Sequence, residues 1–75
     1  MKLPRLSGRE VTRALERAGF VWERQRGSHV ILTRMIDGRK TGVVVPLHAE
    51  IDTGTLLSII RQAKLTRDGF LRLLR

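Results

Sequence analysis

Arg26-Gly27-Ser28-His29-Val30-Ile31-Leu32-Thr33-Arg34 is a short polar turn that hands directly into an apolar run. Gly27 and Ser28 are turn formers, and the β-branched and apolar residues behind them suit a pleated surface, so His29–Arg34 is predicted to be a strand. Upstream, Phe20–Gln25 opens with Val21 and Trp22 and continues with alternating polar residues, the pattern of an antiparallel neighbour. Downstream, Asp37-Gly38 marks a second tight turn. Lys40–Pro46, centred on Val43-Val44-Val45, is the third strand, and Pro46 ends it because proline cannot donate to a ladder. Three strands joined by two short loops make an antiparallel meander. In the middle strand His29, Ile31 and Thr33 share one face while Val30, Leu32 and Arg34 share the other. The pattern leaves open which face is covered.

Helices flank the meander. Ser7-Gly8-Arg9-Glu10 is a capping box, in which the serine hydroxyl and the glutamate carboxylate satisfy each other's backbone amides. Val11, Ala14, Leu15 and Ala18 follow at i, i+3, i+4 and i+7, and Gly19 is a natural stop, which predicts a helix from about Gly8 to Ala18. Leu47-His48-Ala49-Glu50-Ile51 reads as a connecting loop. Asp52 or Thr53 can cap a second helix carrying Leu56, Ile59, Ile60 and Ala63 at the same spacing. Thr66 caps a short final helix with Phe70 and Leu74 on its apolar side, although Gly69 weakens it. The expected fold is therefore α+β, in the order α-β-β-β-α with a small terminal helix, and two helical stripes plus the sheet suffice for one two-layer core.

Size and composition narrow the function. Seventy-five residues make a single domain, 1–75, of modest stability, for which a partner subunit is the natural outside support. The chain has no cysteine, which removes disulfides and thiolate metal sites, and its two histidines and seven acids show no metal-ligand spacing. Neither a metal nor a small-molecule cofactor is expected. The basic start Met1-Lys2-Leu3-Pro4-Arg5 leads into no apolar h-region, and no apolar run approaches the roughly 20 residues of a membrane span. A cytoplasmic protein without membrane contact is expected. Fifteen Lys+Arg against seven Asp+Glu give a net charge of +8, and twelve of the fifteen are arginine. Arginine suits bidentate phosphate contacts and stacking on bases, so nucleic acid is the favoured partner class and an acidic protein the second. Arg9, Arg13 and Arg17 recur at spacing four on the outer side of the first helix, as a solvated face or as an interaction ridge.

The ordered set of motifs resembles the HicA family of toxin endoribonucleases from prokaryotic toxin–antitoxin pairs. The likeness runs through Lys2-Leu3-Pro4, Ser7-Gly8-Arg9-Glu10, Ala18-Gly19-Phe20, Gly27-Ser28-His29, Val45-Pro46 with His48, Gly54-Thr55-Leu56 and Ile59-Ile60-Arg61-Gln62-Ala63. It implies a double-stranded-RNA-binding-domain-like fold with two helices on one face of the sheet. It further implies cleavage of mRNA, with the catalytic histidine of Gly-Ser-His falling on His29, and inhibition by a HicB-type antitoxin. Asp52-Thr53 stands where a Lys-Pro commonly precedes the family's Gly-Thr-Leu, an exchange that weakens phosphate contacts at that helix start.

The residues themselves are compatible with that chemistry. Histidine exchanges a proton near neutrality, so His29 can serve as general base or acid in a metal-independent transfer at an RNA phosphodiester. Arg26 and Ser28 are candidates to position phosphate, Gly27 allows close backbone approach, and Lys40 is a further candidate RNA contact. His48 reads as a loop residue that satisfies a carbonyl or meets the antitoxin. Trp22 can stack on a base, but a lone tryptophan in a small domain is expected in the core. Gly54 and Thr55 serve the helix start, where free amides could receive a phosphate. Two other readings fit the same composition: a non-catalytic RNA-binding module of this fold, and a basic protein-interaction domain.

Overall fold

In a computed structural model residues 3–74 are described; Met1, Lys2 and Arg75, and with them the start of the basic leading stretch, lie outside the described residues. The chain runs α1 (Gly8–Arg17), β1 (Val21–Arg26), β2 (His29–Ile36), β3 (Arg39–Pro46), α2 (Thr53–Gln62) and α3 (Arg67–Leu71). The strands form one antiparallel sheet in the order β1-β2-β3.

Both hairpins close through two-residue loops whose chemistry fixes them. Arg26 pairs with His29 across Gly27-Ser28, and Gly27 has a φ of 58°, the pattern of a type II′ turn with glycine at its first central position. Ile36 pairs with Arg39 across Asp37-Gly38, where φ is positive at both residues (51° and 79°), as a type I′ turn requires. A bulge between Trp22 and Arg24 interrupts the β1–β2 ladder.

Both long helices lie over one sheet face. Val30 and Leu32 of β2 stand opposite Val45 and Val43 of β3, and all four are fully buried beneath Val11, Ala14 and Leu15 of α1 and Leu56, Ile59 and Ile60 of α2. Phe70 of α3 is also fully buried and closes the core from the C-terminal side. The open face is therefore the one that carries His29, Ile31 and Thr33. This is the α+β, double-stranded-RNA-binding-domain-like arrangement.

The helix ends follow from local chemistry. Ser7 caps α1 with both bonds of the capping box in place, at 2.9 and 3.1 Å. At the other end Phe20 N–H donates to Leu15 O and Gly19 N–H to Glu16 O, a Schellman motif with Gly19 (φ 96°) in the left-handed position. Arg34 reaches back from β2 to give Nη1 to the Ala18 carbonyl at 2.5 Å. The same motif ends α2, through Leu65 to Ile60 and Lys64 to Arg61, with Lys64 (φ 59°) where glycine usually stands.

Trp22 departs from the expectation of a core tryptophan: it is 43% exposed. It sits on the edge strand at the bulge, while α1 and α2 lie over β2 and β3, so the strand that holds it is exposed along its whole length.

Candidate functional site

The site is built where four chain segments meet at one end of the sheet. His29 opens β2 and is exposed, directly opposite both Arg26 on β1 and Pro46 on β3. Opposed residues present their side chains on one face, with Cβ atoms about 5 Å apart. The Arg26 and His29 side chains therefore leave opposed positions on the same face, and the tight turn enforces that neighbourhood. Gln25 Nε2 braces the turn by donating to the Gly27 carbonyl at 2.9 Å.

The turn is also tied to the chain that leaves β3. Leu47 N–H donates to the Ser28 carbonyl at 2.6 Å, and Gly8 N–H, in the first turn of α1, donates to the His48 carbonyl at 2.9 Å. Gly8 fits so closely that a Cβ there would come within 2.1 Å of the Pro46 carbonyl oxygen and 2.7 Å of Leu47 Cα. Farther along, Ile51 N–H donates to Leu6 O, binding the approach to α2 against the approach to α1. His29, Arg26, the Pro46-Leu47-His48 segment and the start of α1 consequently share one end of the molecule, and the loop runs from there into α2.

The start of α2 is closed to an anion. Asp52 Oδ1 takes the Thr55 amide at 2.7 Å, its Oδ2 takes the Thr55 hydroxyl at 3.1 Å, and the Gly54 amide also points to this carboxylate. These hydrogen bonds, Thr55's first, hold the Asp52 carboxyl below its usual range, and the charge of nearby His48 adds to the effect. The Gly54 and Thr55 amides considered for a phosphate are thus used by the chain's own acid.

Of the sequence-derived candidates, the structure gathers Arg26, Gly27, Ser28 and His29 in one turn. Lys40 is elsewhere. It pairs with Met35 near the far end of the strands, six residues from the Pro46 that faces His29, on the order of 20 Å away. Its Nζ is held 2.6 Å from Glu23 Oε2, and Glu23 also accepts from the Thr33 hydroxyl at 3.2 Å. The hydrogen bond from Lys40 is the main influence that holds the Glu23 carboxyl below its usual range. The feature that sequence reading underrated is the placement of His48. Its signal was present in the Val45-Pro46-Leu47-His48 run that ends β3, but only the bond to Ser28 brings that run to the turn.

The surface around His29 is open. Two depressions, of about 250 Å³ between α1 and Leu74 and about 240 Å³ beside Lys40, are lined by other residues. Among the described residues no three His, Asp or Glu side chains gather as a metal centre needs. An exposed histidine beside a guanidinium, on a chain of net charge +8, is suited to a phosphate-bearing polymer laid across the surface.

A search among curated proteins finds no match. The family described as "HicA toxin of bacterial toxin-antitoxin" matches residues 8–65, from the first turn of α1 through the end of α2. That span contains the turn with His29, the His48 loop and the whole sheet, and by it the chain belongs to the HicA toxin family.

Proposed function

We propose that this toxin is a metal-independent endoribonuclease that binds and cleaves mRNA, that residues 1–75 form one HicA-like domain, and that it acts in the cytoplasm under the control of a HicB-type antitoxin. The observation that carries the reading is the Arg26–His29 pair, held side by side and exposed at a rigid two-residue turn. His29 takes the proton from a 2′-hydroxyl, and O2′ attacks the adjacent phosphorus. The bond to O5′ then breaks and leaves a 2′,3′-cyclic phosphate. Arg26 compensates the charge that grows on the non-bridging oxygens, a contribution that is largest in the transition state. Gly27 keeps the turn low, and Ser28 presents a hydroxyl next to the reacting group.

The antitoxin partner is supported by the open sheet face. Val21, Met35 and Val44 remain 64%, 62% and 45% exposed there, an apolar surface of the kind a protein partner covers. Purified wild type and His29→Ala are to be compared on end-labelled RNA with EDTA present. Loss of about 10²–10⁴-fold in rate is expected for the variant, the usual contribution of a positioned acid or base. Equal cleavage by the two proteins removes His29 from the mechanism. Cleavage abolished by EDTA removes metal independence.

A further inference from the structure

We propose that His48 is the proton donor to the leaving 5′-oxygen, so that His29 and His48 work as a base–acid pair across one phosphodiester. The inference rests on the ribonuclease reading above and adds a second catalytic residue to it.

Three backbone contacts place His48 at the site. Pro46 lies directly opposite His29 in the ladder, a Cα separation of about 5 Å. His48 is two residues farther along, a reach of at most about 7 Å, so the two histidine backbones lie within roughly 12 Å of each other. Leu47 N–H fixes the intervening segment to the Ser28 carbonyl, the residue before His29, and Gly8 N–H fixes the His48 carbonyl to the start of α1. The loop is thus pinned from both sides while the His48 side chain stays exposed. The backbone that bears this exposed imidazole is therefore held close to the turn that carries the candidate base, His29.

The charges around His48 come from several elements. Asp52, at the head of α2, is near enough for its carboxyl to be influenced by His48. Glu50 on the same loop is held by Arg5 at 3.4 Å, and Glu10 of α1 is bound to the Ser7 amide. Arg26 lies opposite His29 on β1. Asp52 is the acid whose carboxyl senses His48, while its two oxygens are engaged by the Thr55 amide and hydroxyl.

The step balances with these two groups alone. His29 accepts the 2′-hydroxyl proton as the O2′–P bond forms. The P–O5′ bond breaks with its electron pair going to O5′, which takes a proton from the His48 imidazolium. One histidine gains the proton that the other loses, and exchange with water restores both.

The test uses two RNA substrates of one sequence, one ordinary and one with the 5′-bridging oxygen replaced by sulfur at the cleaved position. A thiolate leaves without protonation, so a missing proton donor no longer matters. His48 contributes to the fold through its carbonyl, and circular dichroism of His48→Ala should match wild type. On ordinary RNA His48→Ala is expected to lose about 10²–10⁴-fold in rate and the falling basic limb of the pH–rate profile. On the sulfur substrate it should cleave at the wild-type rate, whereas His29→Ala stays impaired on both. Equal losses by His48→Ala on the two substrates, or no loss on either, overturn the donor role while wild-type cleavage upholds the ribonuclease reading. Failure of wild type to cleave either substrate overturns both.

Discussion

At the scale of single residues, Gly8 shows how a fold requirement and a site requirement coincide. The capping box explains why a helix starts there, but the missing side chain has a different cause: the backbone of Pro46 and Leu47 occupies the space a Cβ would need. Because the opposing atoms are backbone, they cannot rotate away. Gly8→Ala should therefore cost about 1–3 kcal/mol, the usual range for overpacking, read as a lower urea midpoint with unchanged m-value. It should also displace the His48 carbonyl bonded to the Gly8 amide. Gly27 is the contrast, since nothing lies within 4 Å of its would-be Cβ and only its φ of 58° resists a side chain. Lys64 offers the opposite change. It holds a left-handed conformation at the end of α2 at a cost of about 1 kcal/mol, and its side chain makes no hydrogen bond among the described residues. Lys64→Gly is expected to raise stability by about 0.5 kcal/mol after the added freedom of the unfolded chain is subtracted, measurable in the same titration. A midpoint that falls instead would mean that the lysine side chain holds α2 in some other way.

At the scale of elements, the caps make stability depend on pH in a defined direction. Glu10 is held below its usual range by hydrogen bonds from Ser7, first the backbone and then the hydroxyl; Asp52 by those from Thr55; Glu23 by Lys40. Each carboxyl is more acidic folded than unfolded, so the unfolded chain binds more protons in the acid range. The stability these groups confer is fully present above their ordinary values near 4 and is lost as pH falls through the lower folded values. Thermal midpoints should thus be flat above about pH 5 and decline below about pH 4, and Asp52→Asn should flatten part of that decline; an unchanged acid limb in that variant would deny Asp52 its share. The elements themselves were legible because their signals are local. The Ser7–Glu10 box, the apolar spacing of α1 and α2, Asp37-Gly38 and the Thr66 cap each act within four residues, and the structure realises each of them. The covered sheet face was not legible, since Ile31 and Leu32 are equally apolar and only the helices above Leu32 distinguish them. The same non-local information exposed Trp22, withdrew Lys40 from the neighbourhood of His29 and brought His48 into it.

At the scale of the whole molecule, the charge of +8 says that a polyanion is attracted but not where, because twelve arginines look alike in a sequence. The structure separates those with an internal duty. Arg34 closes the end of α1 through the Ala18 carbonyl, Arg17 gives Nη1 to the Leu73 carbonyl at 2.7 Å and so docks the C-terminal segment on α1, and Arg5 faces Glu50. Arg26 makes no such bond among the described residues and stands beside His29. The two kinds should respond differently when RNA binding is measured against salt, with 2′-O-methyl RNA as the ligand so that no cleavage intervenes. Each phosphate neutralised on a single strand contributes about −0.7 to the slope of log K against log salt. Arg26→Ala should reduce the magnitude of the slope by about that amount and leave stability unchanged. Arg34→Ala should do the reverse, keeping the slope while losing about 1 kcal/mol of stability, because its guanidinium is a helix cap rather than a phosphate ligand. If both variants lost slope equally, the RNA would be sensing only the summed field of the protein, and the arginine paired with His29 would have no privileged contact with the backbone that His29 is proposed to cut.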